Sequence, residues 1–211
     1  IYGALKEIAL DNRLSMAVYA SAYIAFGGAF FQLNTLIYGP EKLGISLEQS
    51  TYLFSIAAIG IGIGALVASR ISGRNIEFGI VPIGAIGMTL ACVLLGTHNP
   101  IIFNEGTQNI LSLLLSPSAF LILLMGISAG MCIVPLNAFI QHQSPPNKRG
   151  QILACNSILS FIGVALSALF FYFLQNILSF NASVTFIVLG ILTGLLAIVS
   201  VYKLPNFLVR M

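Results

Sequence analysis

Charge is scarce in this chain. Of 211 residues nine are Lys or Arg and six are Asp or Glu, 7% together, against about 25% in a typical soluble domain. So few charges cannot cover a water-facing surface, which excludes a soluble globular fold. Aspartate is scarcer still: Asp11 stands alone and precedes both histidines, His98 and His142. A catalytic base needs an acidic partner within reach, and the acyl-transfer pattern H-x-x-x-x-D is absent, as are G-x-S-x-G and a Walker A loop. The chain is therefore expected to be no enzyme and to carry no cofactor. The two histidines fall in loops and read as neither metal ligands nor catalytic groups. Cys92, Cys132 and Cys155 lack C-x-x-C spacing and lie inside apolar runs, so they read as reduced packing residues. No signal-peptide h-region is visible in the opening IYGALKEIALDNR. Without an initiating Met, that opening reads as a segment cut from something longer.

Long apolar runs are what the chain has in abundance. Apolar residues make up 58% of it, and six runs, near 15–38, 51–69, 78–97, 117–139, 151–175 and 183–202, can each cross a hydrocarbon layer, which takes about 20 residues. The runs are continuous and do not alternate, which excludes a β-barrel. The fold class is all-α integral membrane, with six transmembrane helices. Residues 1–14, with Lys6, Glu7, Asp11 and Arg13 around Ile8 and Leu10, suit a helix at the membrane surface. Residues 15–203 form the bundle, and 204–211 an exit linker. Within the longest loop TQNILSLLL can lie on the bilayer with Ile110, Leu111, Leu114 and Leu115 toward lipid.

Basic residues orient the bundle. With both ends inside, eight of the nine (Lys6, Arg13, Arg70, Arg74, Lys148, Arg149, Lys203, Arg210) fall on the cytoplasmic side and only Lys42 outside. Cytoplasmic loops retain Lys and Arg, so both ends are expected in the cytoplasm. The net charge of +3 is spread over these loops and does not point to nucleic acid. Two readings hold for Arg70, Arg74, Lys148 and Arg149: orientation signals only, or gate and anionic-headgroup contacts as well.

The polar groups within the spans are amides. No ionisable side chain lies at mid-membrane, so a proton relay is not expected here. Gln32 and Asn34 lie in the first span. Asn137 and Gln141 are four apart on the fourth, and Asn156 opens a stripe with Ser160, Gly163 and Ser167 on the fifth. These amides either bond one another between spans, with Asn156 facing Asn137 if the fourth and fifth spans pack as a hairpin, or line a substrate path. Pro135 frees the Met131 carbonyl, for a packing kink or a hinge. Gly60 with Gly64, and Gly126 with Gly130, form GxxxG faces for close helix approach. The spans also split into two triplets, 15–97 and 117–202, whose third members lack amides; such 3+3 units build secondary transporters.

Two stretches carry a resemblance. AAIGIGIGALVASRISGRNIEFGIVPIGAIG and VPLNAFIQHQSPPNKRGQILACNS resemble the lysophospholipid transporters of the major facilitator superfamily, most of all the bacterial form fused to an acyltransferase and an acyl-carrier-protein ligase. The resemblance implies the C-terminal half of a twelve-span transporter in the bacterial inner membrane. It implies an N-terminal six-helix half and a fused acyltransferase as partners, and a lysophospholipid, lysophosphatidylethanolamine above all, moved toward the inner leaflet for reacylation. One motif departs: where facilitators carry G-x-x-x-D-R-x-G-R, this chain has Ala65 for the Gly and Ser69 for the Asp, and Gly73 and Arg74 come one position late. Other readings are a facilitator half for another amphipathic solute or drug, and a non-transporting membrane anchor of a fused lipid enzyme.

Overall fold

The computed structural model describes residues 7–72, 79–100 and 110–203, the side chains of 110 and 200–203 aside. Arg74, the basic residue expected at a gate, lies outside them. After a helical turn at 7–10, helix α1 spans Asn12–Tyr38, α2 Leu47–Ser72, α3 Ile80–Thr97, the short α4 Ile110–Leu114, α5 Pro117–Gln143, α6 Arg149–Tyr172 and α7 Ala182–Lys203. Single π turns, Gly39–Leu43 and Phe173–Ile177, extend α1 and α6. Six of these helices are long and apolar enough to cross a membrane. The protein is an all-helical, multi-pass membrane chain, and no strand occurs among the described residues.

Local chemistry marks the helix ends. The Asp11 carboxylate accepts from the Arg13 and Leu14 amides and caps α1, because the first amides of a helix have no partner within it. Ser116 caps α5 by accepting from the Ala119 amide, with Pro117 in the first turn. Gly44 takes φ 68° after the first π turn, a left-handed conformation that glycine adopts without steric cost.

Small residues decide which helices meet. A Cβ on Gly60 would stand 2.5 Å from the Leu123 carbonyl oxygen, and one on Gly64 would collide with the Ile127 carbonyl. Conversely, Gly126 and Gly130 of α5 face the carbonyls of Ala57 and Ile61 on α2. The two GxxxG faces therefore pack against each other. Helix α3 lies on the adjoining side of α5, with Gly84 beside Ser128 and Cys132. Helices α3 and α7, the amide-free third spans of each triplet, pair through Gly96, Gly190 and Gly194. Helix α6 rests on α1, where Gly163 abuts the Ala22 carbonyl. The hairpin expected of the fourth and fifth spans does not pack: α5 and α6 share a turn and hardly touch otherwise.

The interior divides into two apolar clusters. The larger, with Phe30, Phe31, Tyr38, Ile122 and Phe186, fills the end near Glu41. The smaller, with Leu14, Val18, Leu136, Phe139 and Ile152, fills the end that carries Lys148 and Arg149, here called the basic end. In the surface loop Leu113 is buried, while Leu111, Leu114 and Leu115 are exposed; the Ile110 side chain lies outside the described residues.

Candidate functional site

Because α5 and α6 diverge from their turn while both contact α1, an open space is left among the three. This chamber measures about 480 Å³. Helix α1 lines it with Ser21, Ala25 and Gly28, α5 with Asn137, and α6 with Asn156, Ser157 and Ser160; Ile24, Ile133, Leu136, Phe161 and Val164 supply apolar wall. None of its lining side chains is ionisable.

The sequence-predicted amides separate into three groups. Asn137 and Asn156 both line the chamber, so the structure brings these two together across an open space. Asn156 is 9% exposed, and its Oδ1 is buried without a hydrogen-bond partner. Such a group carries a desolvation cost that only a partner offsets. Asn34 is fully buried and lines neither chamber; its Nδ2 donates to the Ala182 carbonyl at 2.9 Å, tying α1 to the start of α7, while its Oδ1, like that of Asn156, has no partner. Glu41 secures the same point, its Oε2 accepting from the Ala182 amide at 3.0 Å. Gln32 and Gln141 sit on the exposed surface and line no chamber described here.

Sequence reasoning missed the contribution of α1 to this site. Ser21, Ala25 and Gly28 recur at steps of four and three, one face of a helix. That small-residue stripe was the available signal. Tyr19 and Tyr23 instead line a second chamber, of about 230 Å³, bordered by α1, α3, α5 and α7 and open on one side.

The basic end is closed by polar contacts above the smaller apolar cluster. Glu7 forms an ion pair with Lys148, and Gln143 Nε2 donates to Asp11 Oδ2 at 2.8 Å. Both link the approach to α1 with the α5–α6 turn. Burial pushes the Asp11 carboxyl up, but the Gln143 amide, the Leu14 and Arg13 backbone amides and the Arg13 charge together hold it below its ordinary value. Lys148 is thus a structural partner of Glu7, whereas Arg70 and Arg149 are exposed.

Comparison with known proteins gives one match: the family model of the Major Facilitator Superfamily covers residues 2–168. No curated protein and no solved structure matches the chain.

Proposed function

This chain belongs to the major facilitator superfamily of membrane transporters, and we propose that it is the C-terminal half of a transporter moving a lysophospholipid toward the inner leaflet for reacylation. The observation that carries this reading is the uncharged chamber among α1, α5 and α6, where Asn137, Asn156 and the hydroxyls of Ser21, Ser157 and Ser160 stand among apolar side chains. Amide and hydroxyl dipoles can satisfy a zwitterionic headgroup without burying an uncompensated charge, which a net-charged ion would impose. The choice of lysophosphatidylethanolamine rests on the resemblance of the PLNAFIQ and GIGIGALVASRISG stretches. In this reading Asn137 and Asn156 contact the headgroup, Asn34 holds the bundle together, and Arg70 and Arg149 meet anionic headgroups at the cytoplasmic face. The partner is an N-terminal six-helix half, because alternating access needs two bundles rocking about a shared midplane site. A fused acyltransferase would consume the delivered lysolipid.

Reconstitution tests it. Full-length protein in vesicles should flip labelled lysophosphatidylethanolamine well above lipid-only vesicles, whereas vesicles holding residues 1–211 alone should not. Flipping of a different amphipath, with lysolipid left untouched, would reassign the substrate; transport by the half alone would sink the half-transporter reading. Orientation is checked separately. A cysteine at Asn147, in the α5–α6 turn, should be shielded in intact cells from an impermeant thiol reagent, and one at Glu41 should label. The reverse pattern would overturn the expected cytoplasmic placement of the basic end.

A further inference from the structure

The second chamber differs in kind from the first. Three of its polar side chains are already satisfied: Tyr23 donates to Thr193 Oγ1 at 2.7 Å, Thr193 donates to the Leu189 carbonyl at 2.8 Å, and Cys132 donates to the Val81 carbonyl at 3.4 Å. What faces the space is therefore mainly apolar, including Met16, Ala85, Met88 and Ala197. Tyr19 stands at its rim, 64% exposed. A dry apolar cavity of about 150 Å³ is enough to hold benzene, and this one, at about 230 Å³, is larger. The methionines can adjust to the shape of an irregular occupant.

The two chambers are neighbours. Ile24 of α1 and Leu136 of α5 line both, so two side chains form a common wall between a space lined by amides and hydroxyls and one that is mostly apolar. Leu136 follows Pro135, whose missing amide leaves the helix one hydrogen bond short at that turn. Together the spaces make an amphipathic volume with a polar and an apolar compartment, divided beside Pro135. We infer that the second chamber binds the single hydrocarbon chain of an amphiphile whose polar end lies against Asn156 in the first. This rests on the proposed function for its polar end. It adds that the chain end is held inside the half-bundle, between α1, α3, α5 and α7, and that Ile24 and Leu136 admit it.

The test uses full-length protein in nanodiscs of diacyl phosphatidylethanolamine and a lysophosphatidylethanolamine with a photoactivatable diazirine at the end of its chain. After illumination, mass spectrometry should find adducts on Met16, Met88 or Cys132. Unlabelled lysolipid at about ten times its Kd should reduce them roughly tenfold by mass action, while glycerophosphoethanolamine, which lacks a chain, should not. Ala85→Phe, which fills the chamber from α3, should abolish the adducts, and Ala197→Phe should do so from α7 if the first variant fails to fold. Adducts confined to outward residues such as Ile86 and Leu90, or none at all, would overturn the inference. So would adducts that survive both fillings. Equal competition by added diacyl lipid would assign the chamber to bilayer lipid instead, and also overturn it. Adducts at these positions without lysolipid flipping would leave the chain site standing and remove the transport reading; flipping without adducts would do the opposite.

Discussion

Helices α5 and α6 are consecutive, similarly apolar and joined by one short turn, yet 56% of the most apolar stretch of α5 is buried inside the half-bundle against 17% for α6. Their difference lies in where the small residues fall. Helix α5 carries Gly126 and Gly130 toward α2 and Ser128 and Cys132 toward α3, so two faces admit close neighbours. Helix α6 has a single buried stripe, Asn156, Gly163 and Ser167, and beside it exposes Phe161, Ile162, Leu166, Leu169 and Tyr172. In hydrocarbon no hydrophobic force draws one apolar helix to another, and close approach through small side chains supplies the attraction. The number of small-residue stripes, not apolarity, sets how deeply a span is embedded. The remaining faces of α6 are left for lipid or for the other half of a transporter.

The sharpest way to break this contrast is to add bulk to the buried helix and remove it from the exposed one. Gly126→Leu places side-chain atoms where the Ala57 backbone already stands. Backbone cannot yield as a flexible side chain would, so the loss should reach about 3 kcal/mol or more, read as a collapse of thermal stability in detergent. Phe161→Ala on α6 removes a larger side chain, but one 74% exposed, and should stay within about 0.5 kcal/mol. Comparable losses from both would mean that α6 is buried by contacts of its own.

The next test concerns the space between the two helices. Asn137 and Asn156 share a chamber but no hydrogen bond, so their stability coupling in a double-mutant cycle should fall below about 0.5 kcal/mol. Asn156→Leu should leave stability unchanged or slightly higher, since it removes a buried oxygen that has no partner. The same replacement should cut lysolipid flipping by the full-length protein severely, and Asn137→Leu should do so less. Recovery of flipping in the double variant would reject a path through the chamber and restore direct pairing of the amides.

Much of this contrast was illegible in the chain itself. The six spans were readable within a few residues, because continuous apolar runs of membrane length have one interpretation. The fourth simply runs on to Gln143, past the predicted end at 139, since a polar helical turn costs nothing near an interface. The GxxxG faces were readable as sticky surfaces, but not that Gly60 and Gly64 meet Gly126 and Gly130. Amides were harder. Asn34 and Asn156 look alike in sequence, each an Asn in an apolar run. The Oδ1 of each is buried without a partner; what separates them is that the Asn34 amide nitrogen donates to the Ala182 carbonyl of a distant helix, whereas Asn156 lines the chamber. Proximity through a turn also misled, because a short loop fixes only helix ends, and α6 found its small-residue partner on α1.

The smallest expected effect lies at the turn, where α5 and α6 are held by the approach to α1 rather than by each other. Asp11 caps α1 and accepts from Gln143 at the end of α5, and its folded pKa is below its ordinary value despite partial burial. A group whose pKa falls on folding stabilises the fold above its unfolded value, about 3.9 for Asp. That contribution is lost as pH drops through the lower folded value. The wild-type melting temperature should therefore decline as pH falls below about 4, and Asp11→Asn should flatten part of that decline. The asparagine still caps α1, so at neutral pH only the charge-assisted bond from Gln143 is weakened. Because the carboxylate is mostly solvated, solvent screening keeps this neutral-pH cost small, a Tm shift under about 2 °C. A variant as acid-sensitive as the parent would show that the turn is secured by the Glu7–Lys148 pair and the apolar cluster beneath it, with Asp11 serving its own helix alone.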